Sequence, residues 1–445
     1  MPILITNARM VNEGQITEGD LLVRNHRIEK IGNSITAPEG AIVIDAKGKL
    51  LMPGMIDDQV HFREPGLTAK ADITTESRAA VAGGITSFME MPNVNPATTD
   101  HEALANKYAI GAEKARANYA FYFGATNENL EAIQRLSVGQ ACGVKVFMGA
   151  STGSLLVDDP QALDGIFRDC PLLITTHCED SPTIFANEKA AIAKYGDNVP
   201  LSEHPNIRSR EACMKSSTLA VGLAKKHDSR LHVLHLTTAD EMEHFEPGPV
   251  RGKRITAEAC VHHLFFDSND YAEKGNLIKC NPAIKLASDR EALLQALLDD
   301  RIDVIATDHA PHLLEEKNLP FMQAPAGLPL VQYALVSVLE HVHNGVISLE
   351  KAVSKVTHAV AECYQLKERG YLREGYWADL TLVDLEKPTL ASHSAVLSKC
   401  GWTPFDGYRF RSSIDTTIVS GRIAYQNGEV QDHVRGEALE FGRQR

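Results

Sequence analysis

Residues 53–66 read Pro-Gly-Met-Ile-Asp-Asp-Gln-Val-His-Phe-Arg-Glu-Pro-Gly. A Pro-Gly pair bounds the stretch at each end, which predicts a short strand running into a loop. Side chains alternate along a strand, so Asp57, Gln59, His61 and Arg63 are expected on one face. Every polar group on a buried strand needs a partner. A row of acid, amide, imidazole and guanidinium therefore indicates a functional site.

The composition is that of an ordinary globular protein. The 445 residues predict one large domain or two, and 44% are hydrophobic, enough for a sizeable core. The net charge of −13 argues against nucleic-acid or membrane partners. The eight cysteines include no Cys-x-x-Cys pair, which indicates reduced thiols in a cytoplasmic protein. We expect neither a signal peptide nor a membrane span.

Short β-like segments occur at both ends of the chain. Strands of this length need another sheet to pack on. We therefore predict that residues 1–52 and 366–445, the latter including a tail, together form a small β-sandwich. Residues 53–365 are predicted to form a catalytic domain inserted between them.

The middle of the chain alternates strand-like and helix-like segments. The apolar strand candidates are residues 54–61, 85–91, 119–124, 143–148, 172–177, 231–236, 254–259 and 303–307. Eight β-then-α units predict an α/β protein with a (β/α)8 TIM-like barrel. An open doubly wound sheet is the alternative. The barrel is preferred because polar clusters follow nearly every strand, where barrel active sites lie.

Several of these predicted strand ends carry residues of the types that bind metals in proteins. His61 ends the first strand, His177 the fifth, His235 the sixth and Asp308 the eighth. Barrel closure would bring them to one mouth, and three imidazoles with one carboxylate suit a divalent transition metal such as zinc. Taken singly, each has a plainer interpretation as a core histidine or a helix-capping aspartate.

Lys145 lies within an apolar strand, where a buried cation is costly. One interpretation is an ion pair with Asp308 or Glu179. The other is a lysine of lowered pKa that acts as a nucleophile. Its reaction with carbon dioxide would give an anionic carbamate able to bridge two metals. The small residues 149–154 that follow suit a loop that closes over a substrate.

Together these motifs resemble the cyclic amidohydrolases of the metal-dependent amidohydrolase superfamily, most closely the class I dihydroorotases. The resemblance covers essentially the whole chain and rests on Pro-Gly-x-Ile-Asp-x-x-Val-His, Met-Pro-Asn, Gly-x-Lys-x-Phe, His-Cys-Glu, His-x-x-His-Leu-Thr and Thr-Asp-His-Ala-Pro-His. It implies two zinc ions per subunit, one on His61 and Asp308 and one on His177 and His235. A carbamate formed on Lys145 from CO2 would bridge them, and a hydroxide between the metals would be the nucleophile.

The first strand departs from the family pattern at one position. Gln59 stands where the family usually has histidine, and an amide oxygen is a poorer zinc ligand than imidazole. Alternation directs Asp58 to the opposite face, so it is not expected to substitute. We expect either weaker metal binding near His61 or a Gln59 that only hydrogen-bonds to the cluster.

Arg63 separates the candidate substrates. Arginine recognises a carboxylate through two parallel hydrogen bonds. Dihydroorotate carries such a group, whereas allantoinases typically have asparagine here, and hydantoinases and dihydropyrimidinases lack the arginine. The resemblance implies further substrate contacts from Asn93, Asn281, His312, Ala326 and Gly327.

The implied reaction is the reversible closure of N-carbamoyl-L-aspartate to L-dihydroorotate in pyrimidine biosynthesis. Asp308 is the expected catalytic residue, moving a proton between the nucleophile and the ring nitrogen. The resemblance implies a small anionic substrate and a homodimer. The alternatives are an allantoinase or another cyclic-amide hydrolase, or a non-catalytic scaffold, for which the loss of a histidine at Gln59 is typical.

Overall fold

The computed structural model describes residues 1–149 and 153–442. The strands are β1 (Ile3–Asn12), β2 (Gln15–Arg24), β3 (Arg27–Gly32), β4 (Ile42–Asp45), β5 (Leu50–Pro53), β6 (Met55–Val60), β7 (Ile85–Glu90), β8 (Asn118–Phe121), β9 (Phe123–Gly124), β10 (Val144–Phe147), β11 (Ile174–His177), β12 (Leu231–Val233), β13 (Ile255–Cys260), β14 (Val304–Ala306), β15 (Leu380–Asp384), β16 (Thr389–Leu390), β17 (Arg409–Phe410), β18 (Ser413–Val419), β19 (Arg422–Gln426) and β20 (Glu429–Val430).

The α-helices are α1 (Ile73–Ala82), α2 (His101–Lys114), α3 (Leu130–Gln134), α4 (Pro160–Asp169), α5 (Ser181–Tyr195), α6 (His204–Ile207), α7 (Arg210–His227), α8 (Val261–Phe265), α9 (Tyr271–Lys274), α10 (Ala287–Leu298), α11 (Leu314–Lys317), α12 (Ala334–His343), α13 (Leu349–Val356) and α14 (His358–Tyr364). Short polar side chains begin several of them. Asp72, Asp100, Asp180 and Ser209 each accept a hydrogen bond from a backbone N–H of the first turn.

Parallel strands form the predicted (β/α)8 barrel. Strands β6, β7 and β8 pair in that order, and β9 to β14 pair in chain order. Only Tyr122 separates β8 from β9, so the two are successive halves of one strand that joins both sets. A parallel bridge between Val60 and His309 connects the first and last strands. The backbone N–H of His61 donates to the His309 carbonyl there, at 2.7 Å.

The first barrel strand, β6, is irregular. Its register with β7 shifts between Met55 and Ile56 and again between Asp57 and Val60. Such irregularities redirect side chains. The expectation that Asp57 shares a face with Gln59 is therefore wrong, because its Oδ2 accepts a hydrogen bond from the Thr307 hydroxyl at 2.6 Å. Asp58 points towards His232 on β12.

Both ends of the chain contribute to one nine-stranded sheet. Its order is β20-β19-β18-β15-β5-β1-β2-β3, with β4 beside β1. Ile3, Leu21, Leu51 and Leu380 share one buried hydrophobic cluster, so this small β-domain has its own core. The boundaries proposed for the domains at residues 52 and 365 stay a prediction.

Gly54 alone separates the terminal sheet from the barrel, since β5 ends at Pro53 and β6 begins at Met55. A Cβ atom at Gly54 would lie 2.1 Å from Thr86 Cγ2. The chain passes this point only with glycine, and the terminal sheet is thereby tied directly to the strand that ends in the predicted site.

Three other findings bear on the sequence predictions. In the part of the chain that the structure describes, no helix is long and apolar enough to cross a membrane. All eight cysteines are free thiols. Residues 150–152 of the predicted closing loop lie outside the described residues.

Candidate active site

One cavity of about 220 Å³ lies at the carboxyl ends of the barrel strands. Every residue predicted for the site lines it, and so do two others that were not predicted, Phe147 and Ala310. The predicted residues are Gln59, His61, Arg63, Asn93, Lys145, His177, His235, Asn281, Asp308, His312, Ala326 and Gly327. The barrel thus brings together residues that are up to 268 positions apart in sequence, because parallel strands present their carboxyl ends at one rim.

His61 is oriented by Asn93. Its Nδ1 lies 2.7 Å from the Asn93 Oδ1, so Nδ1 carries the proton and donates it. The other nitrogen, Nε2, lies 3.0 Å from Asp308 Oδ1. Burial lowers the pKa of His61, against the opposing effect of Asp308. A neutral imidazole in this tautomer presents a lone pair to the carboxylate, which is the arrangement of two ligands that share a cation.

Gln59 reaches the same carboxylate. Its Nε2 donates to Asp308 Oδ1 at 3.1 Å, while its Oε1 accepts from the Cys260 thiol at 3.7 Å. The amide nitrogen therefore faces the cluster and the amide oxygen faces away from it. This orientation supports the expectation that Gln59 hydrogen-bonds to the cluster.

His177 is oriented by a hydrogen bond to the buried carboxylate of Glu179. Its Nε2 lies 2.7 Å from Glu179 Oε2, which also accepts from Arg208 at 2.7 Å. Burial would raise the pKa of Glu179, but Arg208 and His177 lower it to about 2. An ionised Glu179 fixes the proton on Nε2 and leaves Nδ1 of His177 as a basic ligand atom, as in carboxylate–histidine–metal groups.

His235 and Lys145 lack such partners. Within the described ranges, the buried Nδ1 of His235 makes no hydrogen bond, and Lys145 has no carboxylate within 4.0 Å. The Lys145 ammonium lies 4.7 Å from the Phe147 ring centroid. Burial lowers the pKa of Lys145 to about 8 and holds that of His235 well below its usual value. The ion-pair interpretation of Lys145 is therefore not supported, and both groups are available to a ligand.

Arg63 forms the cationic wall of the cavity. Its Nε donates to the Pro311 carbonyl at 3.1 Å, and one terminal nitrogen lies 3.2 Å from His312 Nε2. Lys70 lies 2.9 Å from the other ring nitrogen of His312. Burial, with Arg63 and Lys70 nearby, keeps the pKa of His312 far below its usual value, so the ring is neutral.

The remaining wall suits the polar edge of a small ring. Asn281 Oδ1 is buried without a hydrogen-bond partner in the described residues. Gly327 has φ of 140°, and a Cβ there would lie 2.4 Å from the Ala310 carbonyl oxygen. Glycine therefore leaves the backbone beside Ala326 accessible from the cavity.

Three residues that line the cavity are among the fourteen non-glycine residues with positive φ in the described ranges. Arg63, His235 and Asp308 have φ values of 68°, 38° and 51°. Left-handed backbone is uncommon for residues other than glycine and clusters at functional positions. All three lie two or three residues after the end of a barrel strand, and all three line the cavity.

The side chains at the rim are of the types that bind divalent metal ions. His61 Nε2 lies beside Asp308 Oδ1, and the rings of His177 and His235 lie 4.5 Å apart, centroid to centroid. Lys145 lies on the strand β10, next to β11 with His177. Three neutral imidazoles and a carboxylate have the chemistry that zinc prefers.

Sequence reasoning missed several supporting residues. Arg208, which fixes Glu179, follows no strand and carries no local signal. Glu179 was considered only as a partner of Lys145, although it stands two residues after His177 and binds it. Asn93 was assigned to the substrate, whereas the structure also has it orienting His61.

The family model for the amidohydrolase family matches residues 50–424. The chain belongs to the amidohydrolase family, as predicted, and is therefore a hydrolase. Enzymes of this superfamily typically depend on metal ions. Two similar curated proteins are each named dihydroorotase. One, from Bacillus cereus (strain AH820), is 33% identical over 432 residues, 96% of this chain and 99% of that protein. The other, from Pyrococcus abyssi, is 31% identical over 442 residues, 98% of each.

Solved structures confirm the predicted fold class. The L-hydantoinase (dihydropyrimidinase) from Arthrobacter aurescens superposes with a TM-score of 0.93 at 27% identity, covering 98% of this chain and 99% of that one. The dihydropyrimidinase from Brevibacillus agri superposes with a TM-score of 0.90 at 23% identity, covering 100% and 99%. The second likeness bears on the fold alone.

Proposed function

We propose that this protein is a zinc-dependent dihydroorotase that interconverts N-carbamoyl-L-aspartate and L-dihydroorotate in de novo pyrimidine (UMP) biosynthesis. One observation carries the proposal. Arg63 is buried in the cavity wall, and no carboxylate of the described residues lies within 4.0 Å of it. The carboxylate that this arginine lacks is the one that dihydroorotate and carbamoyl aspartate carry.

Burying a guanidinium without an acid is costly. Burial lowers the pKa of Arg63 to about 10, against the attraction of more distant acids such as Asp308. A carboxylate ligand would restore the missing charge through two parallel hydrogen bonds. The cavity is therefore complementary to a small anion.

Uncharged rings fit this wall less well. A hydantoin, dihydrouracil or allantoin ring would leave the buried Arg63 guanidinium without a carboxylate partner. The curated relatives named dihydroorotase match the chain at 31% and 33% identity, which supports the same choice. Likeness to an L-hydantoinase supports the broader class of cyclic amidohydrolase.

His61 with Asp308, and His177 with His235, would hold two zinc ions, and Lys145, as a carbamate, would link them. Bound there, the metals would polarise the amide carbonyl and make water nucleophilic at neutral pH. A neutral Lys145 is needed to form a carbamate, and its lowered pKa favours that form.

The chain's own residues position the substrate and move its proton. Arg63, His312 and Asn93 orient the carboxylate, while Asn281 and the backbone at residues 326–327 bind the ring. Asp308 accepts a proton as the amide carbon is attacked and delivers it to the departing ring nitrogen. In the synthetic direction the same carboxylate works in reverse.

The same proposal includes the type of substrate, the cellular compartment and the oligomeric state. The substrate is a small anion, and the chain acts in the cytoplasm, as a homodimer, without nucleic acid or membrane. Size-exclusion chromatography with light scattering tests the homodimer.

The decisive assay measures L-dihydroorotate ring opening by the purified protein as isolated, after chelation, and after zinc and bicarbonate are restored. We expect activity that is lost to the chelator and regained with zinc. Hydrolysis of allantoin or dihydrouracil in preference to dihydroorotate would favour another cyclic-amide hydrolase. If all three rings stay intact in every state, the protein is a non-catalytic scaffold.

A further inference from the structure

A second polar cluster lies inside the barrel, nearer the amino ends of the strands than the cavity. Asp58 on β6, His232 on β12 and Glu258 on β13 converge there, and each is fully buried. His232 Nε2 lies 3.3 Å from Asp58 Oδ2 and 3.6 Å from Glu258 Oε2. One donor atom from each residue lies within 4.8 Å of the other two.

The atoms that face one another have no hydrogen-bond partners. In the described ranges this holds for both carboxylate oxygens of Asp58, for Glu258 Oε2 and for His232 Nε2. Buried polar atoms are seldom left in this state. Several such atoms aimed at one point indicate a missing charged partner.

The other ring nitrogen of His232 contacts a threonine. Its Nδ1 lies 2.7 Å from the Thr256 hydroxyl oxygen, and that hydroxyl donates to the Leu231 carbonyl at 3.3 Å. With the ring proton on Nδ1, Thr256 accepts it and Nε2 presents a lone pair to the two carboxylates. Burial lowers the pKa of His232, but Cys363, Asp58 and Glu258 raise it overall to well above its usual value, so a proton occupies Nε2 when no ion is bound. A metal ion at Nε2 would take the place of that proton and of its positive charge.

The spacing matches ligands around an ion. Two atoms bound at 2.0–2.1 Å to a tetrahedral zinc ion lie about 3.3–3.4 Å apart. The distances of 3.3 and 3.6 Å from His232 Nε2 are close to this value. A divalent cation would also balance the two buried carboxylates, whose charges are otherwise very costly to bury.

We propose that Asp58, His232 and Glu258 form a separate, structural site for a divalent transition-metal ion of the zinc type. The site is distinct from the proposed catalytic pair, since none of the three residues lines the cavity. The cluster also contacts the cavity wall, because Glu258 Oε1 accepts a hydrogen bond from the backbone N–H of His235 at 3.0 Å.

The barrel closes over this cluster. The hydroxyl of Tyr122 donates to the Asp58 carbonyl at 2.8 Å and lies 2.6 Å from the Tyr364 hydroxyl. Both rings are fully buried. An ion at the cluster would therefore enter during folding and exchange far more slowly than ions in the open cavity.

Metal retention tests the proposal. Protein produced with zinc is dialysed against a chelator under native conditions, and its metal content is measured by mass spectrometry. We expect one zinc per chain to remain after the cavity ions have left, and to be released on unfolding in guanidinium. Asp58→Asn and Glu258→Gln should lose that retained ion, whereas Asp57→Asn, a neighbouring buried carboxylate outside the cluster, should keep it.

Anomalous diffraction at the zinc edge tests the wild-type protein without any variant. A peak about 2.1 Å from His232 Nε2 is expected. Crystals grown with zinc that show no peak between the three residues would overturn the proposal, whether or not the cavity holds metal. A peak at the cluster in a protein without dihydroorotase activity would leave this site standing and refute only the proposed function.

Discussion

Replacing Arg63 by methionine separates binding from folding. Arg63→Met removes the charge and keeps a side chain of similar length in the cavity wall. If the arginine serves a substrate carboxylate, the change should harm turnover of the anionic substrate and spare the fold. If it serves the fold, stability should fall.

The expected magnitudes follow from the structure. The pKa of Arg63 falls from 12.5 to about 10, mainly through burial, which corresponds to about 3 kcal/mol of unfavourable charge burial. Loss of the hydrogen bond to the Pro311 carbonyl costs about 1 kcal/mol. The variant should therefore be at least as stable as the wild type. Loss of a buried charge pair with the substrate costs about 3–4 kcal/mol, so kcat/KM should fall by about 100- to 1,000-fold.

The assay compares two cyclic substrates, one with a carboxylate and one without. Ring opening of L-dihydroorotate and of dihydrouracil, which lacks the carboxylate, is measured for Arg63→Met and for the wild type, along with the melting temperature. Lys70→Met is the matched control, because Lys70 also contacts His312 but does not line the cavity. It should lose less than tenfold.

Two results would refute this reasoning. Dihydroorotate turnover within tenfold of the wild type would mean that Arg63 does not bind the carboxylate. A large fall in melting temperature, with equal losses on both substrates, would assign the arginine to the fold.

Three further predictions concern the metal side of the cavity. Asp308→Asn should fold normally by circular dichroism yet lose at least a hundredfold in kcat, and near-normal turnover would exclude its role in proton transfer. Gln59→His should tighten zinc binding near His61, since an imidazole would replace an amide N–H directed at Asp308; unchanged affinity in a zinc titration would contradict this. In metal-free, bicarbonate-free protein, the folded pKa of Lys145, about 8, lies below its unfolded value of 10.5, so the unfolded state holds the extra proton between these values. Stability should therefore rise with pH across that window, and Lys145→Met should flatten the rise; parallel denaturation profiles would refute it.

The sequence could predict the cavity because its parts are strand ends. Once eight strands were assigned, the barrel required His61, His177, His235 and Asp308 to meet at one rim. Strict alternation failed at Asp57, because the register shifts in β6 depend on the neighbouring strand and not on local composition.

Contacts made through loops were not predictable in the same way. Arg208 stabilises the ionised Glu179 from a segment after α6, 29 positions further along the chain. No periodicity links them. The cluster of Asp58, His232 and Glu258 likewise depends on which side chains face the barrel interior, which the strand pattern alone left undetermined.

The left-handed backbone at Arg63, His235 and Asp308 also bears on how the protein would evolve. At each position a glycine would relax the main chain by about 1–2 kcal/mol while deleting a side chain of the cavity. Selection for stability alone would therefore favour glycine at these positions, and the resulting variants would lose side chains that the proposed reaction needs. A library sorted first for stability and then for turnover should therefore diverge at these three codons, with glycine enriched in the first sort and depleted in the second.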